Sequence, residues 1–283
     1  MSIEEIEGDD SAGAPSDGGD SFFEDGREDD QNEEETTGTD GIRAFVDEGI
    51  TYEIDEDQYV FTGDESSSVY LDFYVKYPVI TGLSDPETEK NVNAAIQSCA
   101  KATVTEIYEE PSVEIRERVL GARVPALVSY VEYKVCYANE DFLSIVFDDN
   151  SYKGSEEYLD MSLRTLNISL KDATVYQVKD IVELNDEFMD DWLSGMREEA
   201  ENDAFLSELD EEELRNALAG EDESGVYVPN FFVSADGMEI GFDLNYPADD
   251  SHDLGYIWVT APLSQEQLEA YQTDSSFWKL IEK

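Results

Sequence analysis

Three long stretches of alternating hydrophobicity stand almost end to end between Ala126 and Leu170, and they leave the chain few options. The first, Ala126 to Tyr137, puts Val131, Tyr133, Val135 and Tyr137 on one side. The second, Phe142 to Tyr152, alternates Leu143, Ile145 and Phe147. The third, Leu159 to Leu170, alternates Leu166, Ile168 and Leu170. A period of two marks a strand with one buried face. The breaks between the stretches, such as Asn139-Glu140-Asp141, are too short for a crossover helix, so consecutive strands must turn back on one another. An antiparallel meander is predicted at the centre of the fold.

The flanking segments add helices and further strands. Val69 to Tyr77 is rich in β-branched and aromatic residues and reads as a strand, ended by Pro78 and Gly82. Asp85-Pro86 then opens a helix, with Asp at the N-cap and Pro in the first turn. Its apolar stripe is Val92, Ile96, Cys99, Thr103 and Ile107, and Pro111 stops it. Glu187 to Asn202 shows Phe188, Trp192 and Met196 at helical spacing, and Asp210 to Ala219 is a second helix closed by Gly220. Gly225 to Val233 and Met238 to Tyr246 flank Ala235-Asp236-Gly237, a hairpin signal. Tyr256 to Pro262 is a last strand. Ser264 and Gln267 have the spacing of a capping box for a helix from Ser264 to Tyr271. This mixture predicts an α+β fold: antiparallel sheets with helices packed on one face, in two associated subdomains.

Residues 1–66 have a different character. The first 65 hold 24 acidic and 2 basic side chains, with many Gly and Ser. Such a segment buries too little apolar surface to offset its ordering entropy, so a disordered acidic arm is expected. Phe22-Phe23 and Ile42 to Val46 are its apolar exceptions and read as transient contacts or, second, as a short linear motif. The rest of the chain is acidic too, with 46 acidic against 15 basic residues, and the whole carries −53. Charge of that sign repels nucleic acid and anionic membrane surfaces. It favours a cationic partner, or serves solubility in a high-salt habitat. No run approaches the ~18 apolar residues of a membrane span, and no basic start followed by an apolar core reads as a signal peptide.

Candidate chemistry is sparse. His252 is the one histidine, which excludes a multi-histidine metal site; it stands in the polar run Asp249-Asp250-Ser251-His252-Asp253 and reads as part of a turn. Asp148-Asp149-Asn150 and Asp249-Asp250 offer hard oxygen ligands, but neither has the ordered spacing of a calcium loop. Paired carboxylates for glycan hydrolysis cannot be picked out among 70 acids. Nucleophile-elbow and phosphate-loop patterns are missing, and no cofactor is expected. Cys99 falls on the helix stripe. Cys136 falls on the strand face shared with Glu132 and Lys134, which reads as polar, so the two are expected to be free thiols.

Several pieces in order resemble a known family. Tyr77-Pro78-Val79-Ile80-Thr81-Gly82-Leu83, the helix with Asn91-Val92-Asn93-Ala94-Ala95-Ile96, and Phe142-Leu143-Ser144-Ile145 come first. Tyr152-Lys153-Gly154, Arg164 to Leu170, Val178 to Val182, Phe231 to Phe242, Asn245-Tyr246-Pro247 and Leu254 to Val259 follow. Together they resemble the extracytoplasmic region shared by RsiV-like anti-sigma proteins and the accessory domain of PdaC-type deacetylases. The resemblance implies a boundary near Tyr176, between a PdaC-type subdomain over residues 67–175 and an RsiV-like one over 176–283. In place of that family's Gly-Gly-Ala-His turn stands Lys153-Gly154-Ser155-Glu156-Glu157. The resemblance implies a non-enzymatic binding or sensor domain at the cell surface or secreted, with the anchor or signal outside this sequence. Its implied partner is a basic protein such as lysozyme, or a cell-wall component. Rival expectations are a glycan-acting enzyme or accessory using carboxylates, and a structural domain of a salt-adapted organism. Binding is expected at two loops and their flanks: Tyr152, Gly154, Glu156 and Glu157 in one, and Tyr246, Asp249, Asp250, His252 and Asp253 in the other.

Overall fold

The computed structural model describes residues 38–64, 66–157, 159–199, 206, 209–246 and 258–281. One compact unit takes in the chain from Thr36 onward. Its larger sheet has six strands. They are β1 (Phe45–Val46), β2 (Glu53–Thr62), β3 (Tyr70–Thr81), β4 (Ala126–Ala138), β5 (Phe142–Lys153) and β6 (Asp160–Ser169). β4, β5 and β6 pair antiparallel, as the alternating stretches predict. β3 runs parallel to β4, and the helices α1 (Pro86–Ala100), α2 (Ala102–Val104) and α3 (Val113–Gly121) form the crossover between them.

The entry to α1 follows its sequence signals. The Asp85 carboxylate accepts from the amides of Glu87 and Thr88, and Pro86 fills the first turn. Glu89 reaches back to accept from the amides of Gly82 and Leu83 at 2.7 and 2.9 Å, fixing the connection from β3. Gly82 takes a positive φ of 95°, which a side chain would resist. Val92, Ile96, Ala100, Val104 and Ile107 bury against Phe73, Val75, Val131, Ile145 and Phe147 of the sheet. α3 was not foreseen; Ser112, just after Pro111, caps it by accepting from the Ile115 amide.

β3 outruns its partner. Its pairing with β4 ends at Val75, while the strand continues to Thr81. At Ile80 the Asn93 side chain takes over. Its Oδ1 accepts from the Ile80 amide at 2.8 Å and its Nδ2 donates to the Ile80 carbonyl at 2.7 Å. One side-chain amide thus does what a neighbouring strand would do.

The expected arm of residues 1–66 is too long. Residues 1–37 lie outside the described residues, but 38–64 belong to the fold apart from any arm. β2 pairs with β3 along all ten of its residues, and β1 pairs parallel with β4. Only Ile54, Tyr59 and Phe61 of β2 pack against the core, while Glu53, Asp55, Glu56 and Asp57 are exposed. An outer strand needs few apolar anchors when the backbone ladder supplies the rest, so an acidic composition concealed it. Ile42 is buried and Phe45 stacks near Tyr137 at 5.0 Å, so the Ile42 to Val46 contacts are fixed rather than transient.

The smaller sheet comprises β7 (Tyr227–Val233), β8 (Met238–Leu244) and β9 (Trp258–Leu263), in that order. Around it lie α4 (Val178–Ile181), α5 (Asp186–Glu199), α6 (Glu211–Leu218), α7 (Gln265–Leu268) and α8 (Phe277–Ile281). The Asp210 and Ser264 capping boxes form. One face of this sheet meets α5 and α6 through Phe188, Trp192, Leu214, Ile240 and Phe242. The other leans on the large sheet, where Phe232 packs with Ile42, Cys136, Val146 and Leu163. Asn230 and Asn167 stitch this seam, donating to the carbonyls of Leu163 and Phe231 at 2.7 and 2.6 Å.

Cys136 therefore corrects its expectation. It is fully buried in the seam, not on a polar surface. The polar face of Glu132 and Lys134 passes beneath the second sheet at this point, beside a register shift in the β4–β5 ladder at Val135/Tyr137. Both cysteines are free thiols, and burial raises their pKa, to about 11 for Cys99 and about 12 for Cys136.

Replacing Asn93 by Ala should leave the Ile80 amide and carbonyl without partners. A loss of about 2 kcal/mol in urea unfolding is expected. Lys90→Ala, at an exposed-side position of the same helix, should change stability by only a few tenths of that.

Candidate functional site

The turn after β5 is held rigidly. Gly154 exchanges backbone hydrogen bonds with Ala126 at 2.8 and 3.3 Å, and the Glu156 amide donates to the Val124 carbonyl at 3.2 Å. Gly154 has φ +119°, a conformation that favours glycine, and a Cβ there would lie 3.1 Å from the Arg118 side chain, close enough to press on it. Arg118 Nη1 donates to the Lys153 carbonyl at 3.3 Å, and Lys153 pairs with Glu106 at 3.3 Å. The turn offers Glu156 and Glu157 to solvent, while Gly154 and Ser155 are buried. Tyr152 is half-buried on the sheet face away from α1.

Of the second expected group, Tyr246 stands just past β8, its ring packed edge-on to Tyr227 at 6.2 Å with the two hydroxyls 3.3 Å apart. Asp249, Asp250, His252 and Asp253 lie outside the described residues. Among the described residues no group of three or more His, Cys, Asp or Glu side chains is placed to hold a metal ion. Asp148 and Asp149 explain one such case. Adjacent strand residues point to opposite faces, so they do not converge on one cation.

Asp149 instead faces the helices, where it is fully buried. Its carboxylate accepts from Ser129 Oγ at 3.0 Å and from Arg164 Nη1 at 2.8 Å. The same guanidinium donates to the carbonyls of Cys99 and Ala100 at 3.0 and 3.1 Å and to Thr103 Oγ1 at 2.9 Å. Arg164 thereby binds the C-terminal end of α1, where the Cys99 carbonyl also accepts from the Lys101 amide. With every edge of the guanidinium occupied, the pair is an internal clasp. It was legible in principle: Asp149 continues the inward register of Ile145 and Phe147, and Arg164 that of Leu166 and Ile168.

Asp243, on β8, is the second buried carboxyl that sequence reasoning missed. It accepts from the Leu163 amide at 3.2 Å across the seam. Burial pushes its pKa up to about 7, against the pull of that amide and of Lys153 and Arg164, with Asp149 adding to the rise. Asp148 and Asp160 are also raised, each mainly by burial. Asp148 lies on the outer face of β5 and Asp160 on the helix face of β6, so the raised carboxyls do not share one site.

Residues 64–155 match the family model described as deacetylase PdaC, so this part of the chain resembles a PdaC-type domain, as the motif order implied. No curated protein matches the chain. Two solved structures are similar in outline. A member of the DUF3298 family from Bacteroides fragilis is 14% identical, with a TM-score of 0.49 over 82% of this chain and 98% of that one. A DUF3298 family protein from Pseudomonas aeruginosa is 11% identical, with a TM-score of 0.44 over 80% of this chain and 95% of that one.

Two measurements test these groups. Arg164→Met should strand the Asp149 charge in the interior and cost roughly 3–5 kcal/mol by urea unfolding. Adding Asp149→Leu should recover most of that loss. Asp243 should make stability depend on pH. Well below pH 4, its carboxyl is protonated in folded and unfolded chains alike, and its contribution is complete. As pH rises through about 7 the contribution is lost, because the unfolded chain ionises freely while the folded one must ionise a buried group. Asp243→Asn keeps an oxygen for the Leu163 amide and removes the titration. Its stability relative to wild type should therefore improve by roughly 2–4 kcal/mol between about pH 4.5 and pH 8.

Proposed function

We propose that the chain is a non-enzymatic, extracytoplasmic binding domain that recognises a basic protein such as lysozyme. The observation that carries this reading is the match of residues 64–155 to the PdaC family model. PdaC-type domains are extracytoplasmic, and no helix among the described residues is long and apolar enough to cross a membrane. Two further features support it. The buried carboxylates are engaged in structural contacts: Asp149 with Arg164 and Ser129, Asp243 with the Leu163 amide. The surplus of 70 acidic over 17 basic residues favours encounter with a cation-rich surface. Charge by itself gives a fast and salt-sensitive association, and a specific site must add packed aromatic anchors.

Calorimetry with lysozyme, and with cytochrome c as a basic protein of different shape, tests the reading. Micromolar or tighter binding to lysozyme alone, persisting at physiological salt, is expected. Equal heats from both proteins that vanish with added salt would reduce the interaction to nonspecific attraction.

A further inference from the structure

The second sheet roofs only part of the large sheet's outer face. At one end, Cys136, Val146 and Leu163 lie in the seam under Phe232. At the other end the same face is open, and its register lines up three rows. Val60, Tyr74, Tyr130, Asn150 and Met161 are paired in succession across β2 to β6. Beside them run Thr62, Asp72 and Tyr152, with Val128 buried between Asp72 and Tyr152. On the other side Gln58 opposes Lys76 and Glu132 opposes Asp148, with Lys76 and Glu132 joined by an ion pair of 2.7 Å. Five strands at about 4.8 Å spacing make this a platform roughly 20 Å wide.

The platform is aromatic, apolar and exposed together. Val60, Tyr70, Tyr130 and Met161 expose 53%, 50%, 41% and 45% of their surfaces. Scattered single residues of this kind are ordinary on a surface, but a contiguous set on one face marks an interaction site. Its rings are also held in place. Asp72 accepts from the hydroxyls of both Tyr70 and Tyr130, and the Lys76 ammonium lies 5.5 Å from the centre of the Tyr74 ring. Rings that are already oriented lose less freedom when a partner covers them.

We propose that this open half of the large sheet, centred on Tyr74, Tyr130 and Tyr152, is the docking surface for a basic protein. The inference rests on the binding function proposed above and assigns it a sheet surface that shares only Tyr152 with the expected loop residues. Charge selects the partner. Lys76 is taken by Glu132, so Asp72 and Asp148 leave the platform negative, within a fold that is itself strongly acidic. A partner presenting Lys and Arg around an apolar patch complements both features.

The test is calorimetry of the full chain against lysozyme at physiological salt. Tyr70→Ser combined with Tyr130→Ser should weaken binding at least tenfold. Met161→Lys, which sets a cation at the platform's margin, should weaken it severalfold and serves should the tyrosine variant fail to fold. Glu212→Gln with Glu266→Gln, on α6 and α7, should stay within twofold of wild type. If wild type binds and both platform variants bind equally well, the surface is wrong while the binding function stands. Loss confined to Glu156→Gln with Glu157→Gln would move the site to the turn and likewise overturn the platform. If wild type does not bind, both readings fall. If it instead sediments with insoluble peptidoglycan in a manner lost in the tyrosine variant, the platform's ligand is a glycan and the basic partner is refuted.

Discussion

The guanidinium of Arg164 joins the helical layer to the large sheet, and much of the arrangement follows from it. A buried cation is costly unless its charge and all its donors are matched. Here Asp149 matches the charge and the end of α1 accepts the remaining donors. Midway along α1, Asn93 clasps Ile80. The helix is thus attached to the sheet by directed polar contacts at its middle and its C-terminal end, with Ile96 packed between them. Apolar packing alone would tolerate sliding, because hydrophobic contact is non-directional. The two clasps fix the helix's position along the strands.

Strand parity then divides the labour within single strands. In β5, Ile145, Phe147 and Asp149 face the helices, Val146 enters the seam, and Asn150 and Tyr152 reach the open platform. The seam ends where its apolar residues end. Beyond Leu163 and Val146 the outward positions turn to Asp148, Asn150 and Met161, and the second sheet no longer covers them. A buried carboxyl, Asp243, marks that border. Its amide partner belongs to Leu163, the last apolar residue of the seam on β6.

Local signals in the sequence were read where they act locally. The Asp85-Pro86 helix start, the Asp236-Gly237 hairpin and the Ser264–Gln267 box depend on neighbours a few residues away, and each appears as expected. The alternation from Ala126 to Leu170 gave the meander, because its period needs no knowledge of partners. What escaped depends on distant chain. β2 is a strand because β3 offers it an edge, not because its own residues are apolar. Cys136 is buried because a sheet made some ninety residues later comes to rest on it. The parallel pairing of β3 with β4 is likewise a property of the crossover. As for the candidate site, the turn at Gly154 lies where expected, and the order of motifs anticipated the PdaC-type resemblance. The tyrosine platform was hidden because its members sit on different strands and meet only through register.

β2 is the outer strand of the large sheet among the described residues, and it is ten residues long. A free edge of that length would ordinarily recruit another copy of itself, since its outward amides and carbonyls are a template for continued pairing. Glu53, Asp55, Glu56 and Asp57 answer this by repulsion, placing carboxylates on both faces of the strand. The same composition that disguised the strand therefore keeps the domain from polymerising edge to edge. Such protection is electrostatic, so salt that screens the carboxylates weakens it while leaving the backbone ladder of the edge intact.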